Sequence, residues 1–326
     1  MVTKRHGEGR RRFIAASTSM LFAPSVVRAQ KAWPERQVKI VIPFAPGGPS
    51  DVTARIVLAK ALGLLGQTAL FDNRAGASGM IGAEVFRSAA PDNHTFFAVT
   101  TGILCITQHL QPVPFDADQD FIPVARTATG WTGMAVHPSL PVADVAEFVA
   151  YAKTNPGKIN FGSPGQATLF HIVGEMLNVE AGIHMTNVPY KGSAPALQDL
   201  LAGQIQVQFD PGTLPLIADG RLKGLAVLGD KRWPRKPDMP TLSEQGYAKT
   251  GGDSWHGIVA IKGTPQPVVD TLSSAIEEAL KAPDVVEKLA NVQHFASFLP
   301  PGAFRERIVR ERAAYGEVIQ KANIRL

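Results

Sequence analysis

Cysteine is nearly missing from this chain: Cys105 is the only one among 326 residues. A single thiol forms no intrachain disulfide and no thiolate cage for zinc, so stability has to come from packing. The eight histidines include no HExxH pair, and neither a metal nor another cofactor is expected. Low-complexity tracts are lacking, as are repeats with a period of about 20–50 residues, which excludes solenoids and propellers. Past residue 29 no apolar run approaches the ~20 residues that a membrane-spanning helix requires.

An excess of one charge is lacking too, once the N-terminus is set apart. Lys4, Arg5, Arg10, Arg11 and Arg12 precede an apolar run from Phe13 to Val27, and Val27-Arg28-Ala29 follows in the manner of a cleavage site. That order reads as an export signal over residues 1–29, cut near Ala29, and sends the mature chain to the periplasm. Arg10 to Ile14 suits the twin-arginine route, although Gly9 stands where Ser or Thr is usual, so the Sec route stays open. Residues 1–29 hold six of the 33 Lys and Arg and one of the 28 Asp and Glu, which leaves 27 of each sign. The formal charge of +5 therefore belongs to the leader. No basic cluster interleaved with aromatics follows, and nucleic acid is not an expected partner.

What the mature chain does contain is alternation. An apolar, β-branched run from Val38 to Pro43 leads through a Gly- and Pro-rich turn to a helical pattern from Asp51 to about Leu65. The same sequence of strand and helix recurs at 69–71 with 79–89, at 159–161 with 168–178, at 186–188 with 194–201, and at 207–209 with 214–218; 95–99 is a further strand. The last third adds strands at 226–228 and 257–261, helices at 267–280 and 284–290, and a long helix over about 301–321. This predicts an α/β protein with mostly parallel sheets. The length favours two lobes, and the lack of one obvious linker suggests that the chain crosses between them more than once, leaving a cleft.

Two turns stand out. Pro43 to Asp51 brings Phe44, Gly47, Gly48 and Ser50 to a helix start, where free N–H groups and the positive end of the helix dipole suit an anion. The lysine of a phosphate loop and the GxGxxG fingerprint are both missing. Asp51 would repel an anion and is expected to cap its helix. The second turn, Phe161 to Thr168, supplies Ser163, Gln166 and Thr168 at another helix start. As a hydrolase elbow it fails, because Phe161 stands where Gly is needed. Asp116-x-Asp118-x-Asp120 opens like a calcium loop, but Phe121 and Thr127 occupy the positions that require Gly and Glu. His171, His184 and His256 read as polar residues that are satisfied or line a cleft wall. Asp210 either meets a ligand hydroxyl or ammonium or caps the next helix.

Several longer stretches carry a resemblance. They are Ile40 to Gly48; Asp72 to Ala77 with Gly79 and Ile81-Gly82-Ala83; Asn155 to Lys158; Val188 to Ala196; and Pro240 to Glu244. In these, and through essentially the whole mature chain, the sequence resembles the solute-receptor family of tripartite tricarboxylate transporters, the Bug-type periplasmic binding proteins. The resemblance implies a periplasmic binding protein type II-like fold: two α/β lobes, residues 31–130 with 251–326 and residues 131–250, around a ligand cleft. It implies capture of a small carboxylate for delivery to membrane transporter subunits, with no catalysis, by a monomer. The first lobe would offer the turn Phe44 to Ser50 and the Thr101-Gly102 loop; the second, Ser163, Gln166 and Thr168, with Asp210 near the floor. Lys191 or Arg74 would add charge. Ile103 stands where the family often has Ser or Thr, and Ala167 to Phe170 is poor in Gly and Ser. These departures point to a less hydroxylated acid, aromatic or aliphatic, touching Ile103, Leu169 or Phe170. A secreted hydrolase or a periplasmic sensor would use the same cleft.

Overall fold

In the computed structural model the described residues run from 33 to 325, except 45, 90, 167, 191, 192, 230, 249, 251, 253 and 322. The export signal, Lys191 and Ala167 lie outside them. The elements are β1 (Val38–Ile42), α1 (Pro49–Leu64), β2 (Ala69–Asn73), α2 (Met80–Arg87), β3 (Thr95–Thr100), β4 (Phe121–Gly130), β5 (Thr132–Val136), α3 (Val145–Thr154), β6 (Ile159–Ser163) and α4 (Leu169–Ala181). They continue with β7 (Met185–Pro189), α5 (Ser193–Leu201), β8 (Val207–Asp210), α6 (Thr213–Ala218), β9 (Lys223–Leu228), β10 (Ser254–Ile261), α7 (Gln266–Lys281), α8 (Pro283–Asn291), β11 (His294–Leu299) and α9 (Pro301–Lys321).

Two sheets organise them. The first has the order β11-β4-β10-β3-β1-β2, the second β7-β6-β8-β5-β9. Four strand pairings are parallel and five antiparallel, so the sheets are mixed rather than mostly parallel. The reason lies in the crossings. The chain leaves the first sheet from β4 into β5 and returns from β9 to β10, and β4 pairs with β10 as β5 pairs with β9. Neighbouring strands that carry a chain out and back must run antiparallel.

Local sequence explains most elements. β1 reads Val-Lys-Ile-Val-Ile and is buried along nearly its whole length, as a central strand covered on both faces should be. Pro49 opens α1 at its first position, where the missing N–H is no loss. Ala54, Val57, Leu58, Ala61 and Leu62 then fall on one face of α1, which packs on α7 through Val268, Val269, Leu272 and Ile276. A second core cluster joins residues of both sheets, from Val41 and Phe97 to Phe161 and Phe209, with Phe304, Ile308 and Tyr315 of α9 against it. Among the described residues no helix is long and apolar enough to cross a membrane.

Candidate functional site

In each sheet the parallel strands change direction of travel at one point. β1 lies between β2 and β3, and β6 lies between β7 and β8, so the connections leave each of these two strands on opposite sides. At such a switch point the loops part and a crevice opens outside the carboxyl ends of the strands. The turn after β1 and the end of β3 lie at the first switch point; the turn after β6 and Asp210, the last residue of β8, lie at the second.

The first turn is held by Asp51. Its carboxylate accepts from the Gly47 N–H at 2.9 Å, from Arg55 Nε at 2.8 Å and from Asn73 Nδ2 at 3.0 Å, while Asn73 also donates to the Phe44 carbonyl at 2.9 Å. Burial alone would raise this carboxyl, but those hydrogen bonds and the Arg55 charge hold it below the ordinary range. Asp51 is therefore a brace for the turn rather than an N-cap. The helix begins earlier than expected, at Pro49, with Gly48 as its N-cap and no side-chain cap. Val52 N–H returns to the Gly48 carbonyl at 3.0 Å. Gly47 adopts φ +81°, a conformation that favours glycine.

At the end of β3 the expected Thr101-Gly102 loop is instead the start of a π-helical turn, Gly102–Ile106. The Thr101 hydroxyl accepts from the Trp255 N–H at 3.1 Å and ties β3 to β10. Ile103, expected to touch the ligand, is a core residue at 1% exposure. Its side chain fills the space over Gly79, where a β-carbon would come within 2.8 Å of Ile103 Cδ1.

In the second lobe Ser163 is fully buried, and its hydroxyl donates to the Gly165 carbonyl at 3.1 Å. Thr168 donates to the same carbonyl at 2.8 Å and, as N-cap of α4, makes no side-chain cap bond. Gln166 is exposed; Leu169 is buried and Phe170 partly so. Both oxygens of Asp210 accept from within the lobe, Oδ2 from the Ser193 hydroxyl at 2.5 Å and Oδ1 from the Gly212 N–H at 2.7 Å. Burial pushes its carboxyl above the ordinary range against the pull of those two donors. Among the several helices whose starts carry no side-chain cap, α1 and α4 are the two that follow the switch-point strands β1 and β6, each after a glycine turn.

One arrangement was not legible in the sequence. His256 Nε2 lies 3.0 Å from His294 Nε2, His294 Nδ1 lies 2.7 Å from the Val292 carbonyl, and Ser50 Oγ lies 3.4 Å from His256 Nδ1. The two histidines stand 38 residues apart on β10 and β11, the strands that flank β4 on either side. They meet across Ala128 and Gly130, their register partners in β4. A β-carbon at Gly130 would lie 3.1 Å from His294 Nε2, so small residues on the middle strand make room for the pair. No local motif marks such a contact, because it is set by strand register.

The remaining candidates are placed elsewhere. Arg74 is half exposed and paired with Asp72 at 2.8 Å. The carboxylates of Asp116 and Asp120 accept backbone N–H groups of their own loop, and Arg87 and Arg312 pair with Asp120 and Asp118. His171 is buried beside Phe161, and burial lowers its pKa; His184 is exposed. Among the described residues no group of three or more His, Cys, Asp or Glu is gathered for a metal ion.

Known proteins share this architecture. A family model described as the tripartite tricarboxylate transporter family receptor matches residues 53–324. The UPF0065 protein in the tcbD-tcbE intergenic region of Pseudomonas sp. (strain P51) is 37% identical over 286 residues, 86% of this chain and 85% of that one. Among solved structures, R. palustris Rpa4515 with adipate is 32% identical with a TM-score of 0.78, covering 90% of this chain and 99% of that one. MatC from Rhodopseudomonas palustris with bound malate is 29% identical with a TM-score of 0.73, covering 88% of this chain and 99% of that one. With two switch points, a family match over most of its length and a relative of this identity, the chain belongs to the receptor family of tripartite tricarboxylate transporters.

Proposed function

We propose that this chain is exported to the periplasm, captures a dicarboxylic acid between its lobes and hands it to a membrane transporter without altering it. The lobes would be residues 31–130 with 251–326 and residues 131–250, divided at the two crossings between the sheets. The reading rests on the pairing of two uncapped helix starts with two switch points, one in each lobe. The N–H groups that open α1, with Gly47, Gly48 and Ser50 around them, would hold one carboxylate, and those that open α4, with Gln166 and Thr168, the other. A dicarboxylate answers both sets; a monocarboxylate leaves one without a partner. Ser163, Thr101 and Asp210 act one step back, by holding the turns and strand ends in place. Charge-assisted hydrogen bonds supply the affinity, and closure of the lobes strengthens them by removing water.

Adipate and malate, which accompany two of the similar structures, are the probes to use. Titration calorimetry of the mature protein should give saturable one-to-one binding to at least one of them, with the acid recovered unchanged. No heat from either acid, or from a wider set of mono-, di- and tricarboxylates, would overturn the proposal. The Ser50, His256 and His294 line favours a hydrolase as the second reading, which predicts turnover of p-nitrophenyl acetate that disappears in Ser50→Ala.

A further inference from the structure

The direction of every hydrogen bond from Ser50 to Val292 follows from the last member of the line. A carbonyl only accepts, so His294 Nδ1, 2.7 Å from the Val292 oxygen, carries a hydrogen. Burial holds both imidazoles below the ordinary histidine range, His294 against the pull of the Val292 bond and His256 further down with His294 beside it. Burial thus favours the neutral form of each ring. A neutral His294 with its hydrogen on Nδ1 has a bare Nε2, which accepts from His256 Nε2 at 3.0 Å. His256 Nδ1 is then bare in turn and accepts the Ser50 hydroxyl. The hydrogen of Ser50 points inward, and lone pairs are what its oxygen offers at the start of α1.

We propose that His256 and His294 are positioning residues that hold Ser50 as a hydrogen-bond acceptor, so that this end of the cleft selects a dicarboxylate bearing a hydroxyl beside the carboxylate it presents to α1. The inference rests on the proposed binding of a carboxylate at the start of α1. There the ligand carboxylate takes the free N–H groups, and the neighbouring hydroxyl donates to Ser50 Oγ. A ligand without the hydroxyl sets carboxylate lone pairs against those of Ser50. Relief comes only if Ser50 turns away and leaves the buried His256 Nδ1 unanswered, which is unfavourable. This reverses the expectation of a less hydroxylated acid, one support of which, Ile103, lies in the core.

Malate and succinate differ by that one hydroxyl and form the test. Calorimetry should show malate binding at least about tenfold more tightly than succinate. In His256→Phe, Ser50 is free to donate to a carboxylate, and the ratio should fall toward one; Ser50→Ala should lower it as well. Equal affinities in the unaltered protein, or a ratio that His256→Phe and Ser50→Ala leave unchanged, would overturn the inference while leaving carboxylate capture intact. Failure to bind either acid, with adipate and the wider panel also silent, would overturn the carboxylate reading and this inference with it. Nitrogen-15 NMR of the imidazoles in the ligand-free protein needs no variant that folds: His294 should carry its hydrogen on Nδ1 and His256 on Nε2, and the opposite tautomers would refute the line.

Discussion

Asp51 is a negative charge in a turn suited to an anion, and its partners explain why it is tolerated. Three donors hold it against the backbone of its own turn, so its charge is answered before a ligand arrives. Arg55, four residues on, is a partner that helix spacing makes legible; Asn73 is not, because it reaches the turn through the pairing of β1 with β2 at Ile42 and Asn73. Asp51→Asn should lower stability at pH 7 by about 1–3 kcal/mol in urea denaturation. The folded pKa lies below the unfolded one, so this contribution is complete above about pH 4 and lost as pH falls through the folded value. The difference between Asp51→Asn and the unaltered protein should therefore shrink in acid, and an unchanged midpoint at pH 7 would remove Asp51 as a brace.

Elements were legible where a hydrophobic period was clean, as in α1, α7 and α9, and illegible where packing decides. β4 and β5 carry no clean strand pattern, since Pro123, Gly130 and Gly133 interrupt it. In the fold Gly133 is a clearance, since a β-carbon there would lie 2.6 Å from Thr213 Oγ1 on α6. β11 is irregular, with a register shift between Ala296 and Leu299. The π-helical turn after β3 has no sequence signature at all. α4 carries a similar clearance at Gly174, where a β-carbon would fall 2.3 Å from the Phe161 ring. Helix propensity favours alanine by about 1 kcal/mol, but overpacking costs about 1–3 kcal/mol. Gly174→Ala should accordingly unfold at lower urea than the unaltered protein, and a gain in stability would show that Phe161 has room to move.

Among the described residues burial lowers the pKa of three histidines, His171, His256 and His294. Each binds a proton more readily once unfolded, so stability should fall as pH drops below about 6.5, by as much as about 1.4 kcal/mol per pH unit for each group. Urea unfolding across pH 5–7.5 measures that slope, and His256→Phe should make it shallower; an identical slope would mean that His256 titrates normally. The two-lobed plan was legible from the chain's length and the lack of one obvious linker. The meeting of His256 with His294 was not, since no sequence pattern states which strands flank β4.

That placement of β4 also governs the order in which the protein takes shape. Among the described residues its partners in the first sheet are β10 and β11, which follow residue 253. During synthesis β1, β2 and β3 can associate early and the second sheet can close around β5 to β9, while β4 waits with both edges bare. The first sheet is completed only by the last quarter of the chain, and until then β4 is the segment most exposed to pairing with a neighbouring molecule.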